Sequence, residues 1–457
     1  MPDYIPTNAA SSGVKLDKKT LKSIAARSDK PGLIYIAQWV AFLAATGALV
    51  WAALGTLWVW PAMLLHGIFL TVPAYSFSHE TAHGTAFRSR WLNEAVLWVT
   101  SFLYMEEPLH RRYTHTNHHT HTWWVGKDSQ MPFDTPMGFG GWLAEISGFA
   151  LLRFHIQVFV YLAAGRYTDT MKMVTPEGGF AKMTRNARIM LMIYALIAAA
   201  PFFGIWWVVW FLVIPRILGA PVMLLFTLIQ HVELQENSPS ILESTRSFRS
   251  NRLAEFLYMK MNNHVEHHLY PQVPFHALPK LAEALQDQLP QPDPGFCKTN
   301  LEVMSVVLRR SLGRQTKAAS IRQAPHMITG AARWNVSRSG QCELGRKIPI
   351  RSHSMSQWID ACATDDIDEE DLISWQHGGK SYAIYNTKKG FFASDLICTH
   401  EEQSLEDGLV IDCVIECPLH GGRFDICTGK ALSAPVHKDL NTYPVRVEGG
   451  RVFVETG

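Results

Sequence analysis

The sequence lacks the features that define several large classes of protein. Its 42 basic and 40 acidic residues leave a net charge of only +2. No stripe of basic residues with interleaved aromatic residues occurs, so a nucleic-acid partner is not expected. No G-x-G-x-x-G segment occurs in a strand–helix context either, since Gly138-Phe139-Gly140-Gly141 does not have that spacing. The chain is therefore not expected to bind NAD(P)H itself.

Cysteine is also scarce, with seven residues in a chain of 457. Three of them are scattered, and the other four, Cys398, Cys413, Cys417 and Cys427, cluster near the C-terminus. A reducing cytoplasmic environment argues against a disulfide framework and favours metal ligands or buried thiols. Cys413 and Cys427 lack ligand spacing, so we expect them to be buried thiols.

Long apolar runs are abundant. A membrane-spanning helix needs about 20 apolar residues, and residues 34–53 and 57–76 supply two such runs. The run Met190–Ile229 is long enough for two more, with a turn at Pro201–Gly204. The sequence therefore predicts four membrane spans arranged as two hairpins.

Two features complicate this prediction. Arg216 lies inside the fourth run, where a charge is costly, so either it faces the bundle interior or the run has other limits. Residues 138–164 are apolar but carry Glu145, Arg153 and His155, which favours an interfacial or part-inserted helix over a span.

Basic residues indicate the orientation of the spans. Lysines and arginines precede the first run and follow the second and the fourth, whereas neither hairpin tip is charged. By the positive-inside rule, the large polar segments lie on the cytoplasmic side. We expect a multi-pass protein of a bacterial inner membrane. No cleaved signal peptide is expected, because the first apolar run is too long for one.

Nine of the 20 histidines form a pattern. They comprise an H-x-x-x-H pair, two H-x-x-H-H clusters and a single residue at the end of the fourth run: His79, His83, His115, His118, His119, His231, His264, His267 and His268. Positions i, i+3 and i+4 share one face of a helix, so each cluster can direct several imidazoles at one point. Nine imidazoles suit two metal ions, but imidazole alone does not distinguish iron from zinc or copper.

The same residues are compatible with other roles. His79-Glu80-Thr81-Ala82-His83 also matches the H-E-x-x-H motif of zinc proteases, although that site leaves no role for the other clusters. His110 and His121 flank the second cluster and either support the ligands or contact water. Glu80, Glu233 and Glu266 adjoin candidate ligands, and either orient an imidazole or lie on the surface.

The three histidine boxes and His231 resemble the membrane fatty-acid desaturase and alkane hydroxylase superfamily over roughly residues 34–290. The resemblance implies four spanning helices, a cytoplasmic cap that holds two non-haem irons, and O₂-dependent attack on unactivated C–H bonds. The dipeptide Lys127-Asp128, which follows the second box, also resembles this superfamily. Arg111 is a departure, because some relatives carry a further histidine near this position.

A second motif lies near the C-terminus. Cys398-Thr399-His400 and Cys417-Pro418-Leu419-His420 form C-x-H and C-x-x-H pairs with 16 residues between them, and Gly421-Gly422 follows. This is the pattern of a Rieske [2Fe–2S] cluster, in which two cysteines hold one iron and two histidines hold the other. A structural Cys₂His₂ zinc site is the alternative, but C-x-H is tighter than ordinary zinc-finger spacing.

We therefore predict a multidomain chain, with an all-α four-helix transmembrane di-iron domain and a small all-β Rieske domain. The expected limits are 1–32 for a cytoplasmic N-terminal segment, 33–296 for the membrane domain, 297–350 for a linker and 351–457 for the Rieske domain. Short strands are expected at Ser381–Tyr385, Phe391–Ala393, Val414–Cys417 and Val452–Val454.

The pairing of these two domains resembles the rhizopine-type oxygenase system. That resemblance implies an oxygenase that hydroxylates or oxidatively demethylates a small molecule, with electrons from NAD(P)H reaching the Rieske cluster through a separate ferredoxin reductase. A fatty-acyl desaturase acting on a lipid is the alternative. A membrane-anchored electron-transfer protein is a more distant one, which the nine histidines disfavour.

Overall fold

The computed structural model describes residue 9 and residues 11–131, 135–314, 357–400, 403–418, 421–433 and 436–456. The chain divides into two compact units, one helical and N-terminal, the other built from β-strands and C-terminal. The multidomain prediction, with an all-α and an all-β part, is confirmed.

The helical unit contains helices of very different length. In chain order these are α1 (Lys18–Ile24), α2 (Asp29–Ala53), α3 (Val59–His83), α4 (Arg90–Tyr104), α5 (Pro108–Thr120), α6 (Phe139–Ile146), α7 (Phe149–Ala163), α8 (Asp169–Val174), α9 (Phe180–Ala199), α10 (Ile214–Leu228), α11 (Ile241–Ser244), α12 (Arg252–Leu257), α13 (His264–Leu269), α14 (Leu278–Leu285) and α15 (Phe296–Ser311). A π-helical turn, Val209–Val213, leads into α10.

Four helical segments are long and apolar enough to cross a membrane: Lys18–Ala53, Val59–His83, Phe180–Phe203 and Val209–Leu228. They correspond to the four predicted runs. Large aromatic side chains are exposed at both connections, with Trp58 76% and Trp207 63% accessible. Aromatic residues of this kind are favoured where a membrane meets water.

The helices α3 and α10 approach each other at two glycines. A Cβ atom at Gly67 would lie 1.9 Å from the Pro215 carbonyl oxygen, and one at Gly219 would lie 2.2 Å from the Gly67 oxygen. Only glycine permits this spacing, because real side chains cannot approach backbone so closely. The contact fixes the helix that carries His79 and His83 against the helix that precedes His231.

Arg216 faces the helical bundle rather than the outside. Its Nε donates to the Leu103 carbonyl at 2.8 Å, and its Nη2 donates to the Tyr104 carbonyl. These residues end α4, so the guanidinium satisfies carbonyls that have no partner within the helix. Of the two explanations for Arg216, the structure supports the interior position.

The segment predicted as one interfacial or part-inserted helix, 138–164, forms two helices instead. The helices α6 and α7 meet at an angle of 63°, and the break follows from Gly148, whose φ of +79° lies in the left-handed region. His155 points into the unit and is buried. The bent pair counts as a fifth span only if the two helices cross a membrane together.

The first part of the predicted linker is a packed helix. Val303 and Val307 of α15 are buried in a cluster with Trp123, Trp142 and other apolar residues. Their spacing of four places them on one helical face, which is a signal present in the sequence. Arg310 on the same helix pairs with Glu233 through its two terminal nitrogens, Nη1 and Nη2. Residues 315–356, the rest of the predicted linker, lie outside the described residues.

The C-terminal unit consists of three small antiparallel sheets. Its strands are β1 (Gln357–Ala363), β2 (Asp371–His377), β3 (Lys380–Thr387), β4 (Gly390–Asp395), β5 (Leu409–Ile411), β6 (Val414–Glu416), β7 (Arg423–Asp425), β8 (Ala431–Ser433), β9 (Thr442–Tyr443), β10 (Val445–Glu448) and β11 (Arg451–Thr456). The sheet orders are β1-β11-β10, β2-β3-β4-β9 and β5-β6-β7-β8. All four predicted strands are present. Cys413 is buried as expected, whereas Cys427 is half-buried.

Candidate metal centre

The nine patterned histidines come from four separate parts of the helical unit. His79 and His83 occupy the last turns of α3, and a second set of three lies on α5. A third set lies on the short helix α13, and His231 follows the end of α10. The second box is thus helical, so its i, i+3 and i+4 positions share one face.

The helix α5 begins at a strong signal. Glu107 is its N-cap, and its Oε2 accepts from the His110 backbone N–H at 2.6 Å, while Pro108 occupies the first turn. The other carboxylate oxygen accepts from Asn186 Nδ2 at 2.8 Å. Burial raises the pKa of Glu107 to about 7, against the effect of these hydrogen bonds. A buried carboxylate therefore sets where the second histidine box starts.

The nine histidines form two groups within which all the candidate ligand atoms lie within 4.8 Å of one another. Group one contains His79, His83, His115, His119 and His267, and group two contains His118, His231, His264 and His268. All nine histidines predicted as di-iron ligands are in one of them. The boxes are interleaved, because α5 and α13 each supply histidines to both groups.

Nitrogen–nitrogen distances within each group suit a shared ion. In group one, His115 Nε2 lies 2.8 Å from His83 Nε2 and 3.1 Å from His119 Nε2. In group two, His264 Nε2 lies 3.1 Å from both His231 Nε2 and His268 Nε2. Metal–imidazole bonds of about 2.0–2.1 Å place neighbouring ligand nitrogens roughly 3 Å apart. The donors therefore have the spacing that a metal ion requires.

Buried nitrogens without a hydrogen bond provide an independent test of this fit. Both ring nitrogens of His79 and both of His267 are buried with no hydrogen-bond partner among the described residues. Such atoms are costly unless a partner satisfies them. Burial also lowers the pKa of His231 and of His267 to about 3. These two imidazoles are thus neutral near pH 7, the form that binds a metal.

Three imidazoles of group two are oriented by groups outside the cluster. His118 Nδ1 donates to Asp128 Oδ2 at 2.8 Å, and His231 Nδ1 donates to the Ser244 carbonyl at 2.9 Å. His268 Nδ1 donates to Thr122 Oγ1 at 3.1 Å, because that hydroxyl hydrogen already bonds the His118 carbonyl. Each contact leaves Nε2 as the acceptor nitrogen, the arrangement typical of metal-ligating histidine.

These orienting groups were not identified from the sequence. The three adjoining glutamates bond elsewhere: Glu80 accepts from Thr85 and Phe275, Glu233 binds Arg310, and Glu266 accepts from Ser247. Asp128 was noted only as part of a family-like dipeptide. Its burial and its hydrogen bonds from the backbone N–H groups of Trp123 and Gln130 depend on the fold of the loop after α5.

A cavity of about 150 Å³ adjoins both histidine groups. Its lining includes His79 and His115 of group one and His118, His231 and His264 of group two. The cavity is also lined by polar residues that are not members of either histidine group, among them Glu106, His110 and Arg111. A molecule in this cavity would lie beside both candidate metal positions.

Three of the four ligands predicted for the iron–sulfur cluster, Cys398, His400 and Cys417, lie in two loops of the β unit. Cys398 and His400 follow β4, and Cys417 directly follows β6. Both cysteines are buried, and the six cysteines in the described residues form no disulfide. Burial without a disulfide is compatible with the ligand role predicted for these two thiols. His420, the fourth predicted ligand, lies outside the described residues.

Comparisons with known proteins agree with this division. Residues 57–300, more than half of the chain, match the model of the fatty acid desaturase family, and residues 357–444 match that of the Rieske [2Fe–2S] domain. The burial of Cys398 and Cys417 agrees with the second match.

Two curated relatives match the C-terminal part. The ferredoxin component of the naphthalene 1,2-dioxygenase/salicylate 5-hydroxylase systems of Ralstonia sp. is 47% identical over 98 residues, which is 21% of this chain and 94% of that protein. The ferredoxin component of the naphthalene 1,2-dioxygenase system of Pseudomonas aeruginosa is 46% identical over 99 residues, 22% of this chain and 95% of that protein. The solved structure of the Sphingomonas yanoikuyae B1 ferredoxin is 32% identical in sequence. The match covers 22% of this chain and 100% of that ferredoxin, with a TM-score of 0.22.

Proposed function

We propose that this chain, which belongs to the fatty acid desaturase family and carries a Rieske [2Fe–2S] domain, is a membrane-bound, O₂-dependent di-iron oxygenase that takes electrons from its own Rieske domain. The chain is an oxidoreductase, and the family implies a di-iron centre. The observation that carries the proposal is the convergence of nine histidines into two groups of metal-binding geometry beside one cavity.

The proposed ligands are the five histidines of group one for one iron and the four of group two for the other. Cys398, His400, Cys417 and His420 are proposed to hold the [2Fe–2S] cluster. Iron in the histidine groups would supply the O₂-activating chemistry that breaks unactivated C–H bonds. The protein contributes the cavity that positions the substrate and the contacts that keep Nε2 of His118, His231 and His268 directed inward.

We favour hydroxylation or oxidative demethylation of a compact substrate. The cavity beside the histidines is small and carries charged side chains, which suits a polar molecule better than an acyl chain. Demethylation of a methoxy group would consume one O₂, two electrons and two protons, and would yield the alcohol, formaldehyde and water.

A fatty-acyl desaturase is the second candidate. An apolar cavity of about 150 Å³, lined by Phe102, Leu152, Tyr194 and Ile217 among others, lies next to a narrower one that shares Tyr104 and His155 with the histidine cavity. This series of cavities could accept an apolar chain. The two candidates differ in product, formaldehyde or alcohol against an alkene.

The membrane arrangement is part of the proposal. The chain is a membrane protein by family and by its four apolar helices. We propose that it crosses a bacterial inner membrane several times, with both metal centres on the cytoplasmic side, since basic residues flank the spans there.

The relatives are ferredoxin components of dioxygenase systems, and by analogy we propose a separate NAD(P)H-dependent reductase as electron donor. Fusion would keep the Rieske domain at high effective concentration near the oxygenase.

Iron analysis with electron paramagnetic resonance of the dithionite-reduced protein tests the proposal. The intact protein should contain about four irons per chain, two in the cluster and two in the histidine groups. Cys417→Ser should abolish the Rieske signal but retain about two irons, and His264→Ala should retain the signal. A protein that keeps only two irons and a Rieske signal after iron reconstitution would be a membrane-anchored electron carrier, and the oxygenase proposal would fail.

A further inference from the structure

The cavity beside the histidine groups contains a buried guanidinium with unused hydrogen-bond donors. Arg111 is only 3% exposed, yet its Nε and Nη2 have no hydrogen-bond partner among the described residues. Its nearest acidic neighbour is Glu106, with 3.8 Å between Arg111 Nη1 and Glu106 Oε2. Buried donors of a charged group are expensive to leave without acceptors, so an acceptor supplied from the cavity would relieve this cost.

The position of Arg111 relates it to the proposed metal ligands. It lies four residues before His115 on α5, and so on the same helical face one turn away. Its Cζ stands 4.8 Å from the ring centroid of Tyr75, which in turn lies one turn before His79 on α3. All four of these residues line the cavity. A group bound by Arg111 would thus be held about one helical turn, roughly 5 Å, from ligands of group one.

The partners of Arg111 leave its free edge available. Glu106 is already engaged by His110, whose Nδ1 lies 3.3 Å from Oε1. Tyr75 and Tyr104 contact the guanidinium with their rings, at 4.8 Å and 5.9 Å from Cζ. The guanidinium offers a planar fork of donors that matches a carboxylate in bidentate geometry. The unsatisfied Nε and Nη2 are two such adjacent donors.

The volume and walls of the cavity limit the rest of the ligand. About 150 Å³ is the size of cavities that bind a single benzene ring. Tyr75, Tyr104, Trp123 and Phe154 contribute aromatic surface, which packs well against a flat ring. A single-ring acid is therefore complementary to this cavity in size, surface and charge.

We infer that Arg111 binds the carboxylate of a compact aromatic-acid substrate in this cavity and so orients its oxidisable C–H bond toward the histidine groups. The inference rests on the proposed function, because it names the substrate class of that same site. It explains why arginine, a residue costly to bury, lies next to proposed iron ligands instead of a further imidazole.

The test compares two probes that differ in charge but not in shape, 4-methoxybenzoate and 4-methoxybenzamide. Dissociation constants are measured by calorimetry on the full-length, iron-loaded protein in detergent. The intact protein should bind the acid at least about tenfold more tightly than the amide, as expected for a charge-assisted pair in a buried site. Arg111→Gln should reduce this ratio to about one, and Arg111→Lys should give an intermediate value because lysine lacks the fork.

Two further variants separate binding from structural effects. Arg112→Gln is the matched control, since Arg112 is the next residue of α5 but pairs with Glu94 outside the cavity, and its acid-to-amide ratio should equal that of the intact protein. Glu106→Gln removes the anion closest to Arg111 and should tighten binding of the acid. If Arg111 served only to neutralise Glu106, the same variant would leave the ratio unchanged.

Several results would overturn the inference. The first is an equal affinity of the intact protein for the acid and the amide, and the second is no binding of 4-methoxybenzoate or benzoate at all. The third is a preference for the acid that survives in Arg111→Gln, because that result would indicate that the carboxylate binds iron directly. The proposed function fails independently, through an iron content near two. A neutral substrate that is oxidised without any preference for acids would retain that function and remove this inference.

Discussion

The two histidine groups share helices and a cavity, yet the protein supports them differently. In group two, His118, His231 and His268 each donate through Nδ1 to a fixed acceptor. In group one, His115 has a long contact of 3.3 Å with Gln130, while His79 and His267 have no partner for either ring nitrogen among the described residues. Three members of group two are thus oriented before a metal binds, whereas His79 and His267 of group one depend on the metal itself.

This difference has a consequence for metal retention. Contacts that fix an imidazole hold its tautomer and direction, and their loss typically weakens metal affinity by about 10–100-fold. Group one compensates with number, since it has five imidazoles against four. Group two, with four, leaves more room for an exchangeable ligand from the cavity, which three of its members line. We therefore expect group two to be the more rigid and the more accessible site.

Removing a ligand should have the largest effect. His264→Ala deletes the imidazole whose Nε2 lies 3.1 Å from two other members of group two. We expect loss of one iron per chain and a fall in turnover of at least about a hundredfold. His267→Ala in group one should lower the iron content per chain at least as much, if the imidazoles of that group are held in place by the metal. Iron analysis and product formation measure both, with His377→Ala of the β unit as the control.

Removing an orienting carboxylate should have the next largest effect. Asp128→Asn keeps the shape of the side chain but removes the charge that accepts from His118 Nδ1. Iron should be released about 10–100-fold more readily to a competing chelator. Asp169→Asn is the control, because Asp169 is exposed and pairs with Lys172 on α8, away from the histidine groups. Unchanged retention in Asp128→Asn would contradict the view that group two is oriented from outside.

Thr122→Val should have a smaller effect on the same group. The substitution removes the hydroxyl that accepts from His268 Nδ1 but keeps the branched shape. A neutral hydrogen bond contributes about 1 kcal/mol, so we expect roughly a fivefold loss of iron affinity in the same chelator assay. A loss as large as that of Asp128→Asn would indicate that the charge of the acceptor matters little in this group.

The sequence was sufficient to predict the histidine sets, because the i, i+3 and i+4 spacing acts within one helix. It was sufficient for the four apolar helices and for four of the eleven β-strands, which depend on local composition. It did not predict which histidines would share an ion, since both α5 and α13 divide their members between the groups. That division depends on how the helices cross, and the close contact of Gly67 with Gly219 is part of what determines it. The roles of Arg216, Arg310 and Asp128 likewise depend on partners distant in sequence.

Gln130→Ala should have the smallest effect, and it tests group one directly. The Gln130 Oε1 atom lies 3.3 Å from His115 Nδ1, near the limit at which such a contact still acts as a hydrogen bond. The substitution leaves the Gln130 backbone N–H in place, so its hydrogen bond to Asp128 Oδ1 and the support of group two are retained. We expect less than about a threefold change in iron affinity, because the weak contact contributes little. A change of tenfold or more in the chelator assay would show that His115 is oriented from outside as firmly as His118, and the contrast between the two groups would no longer hold.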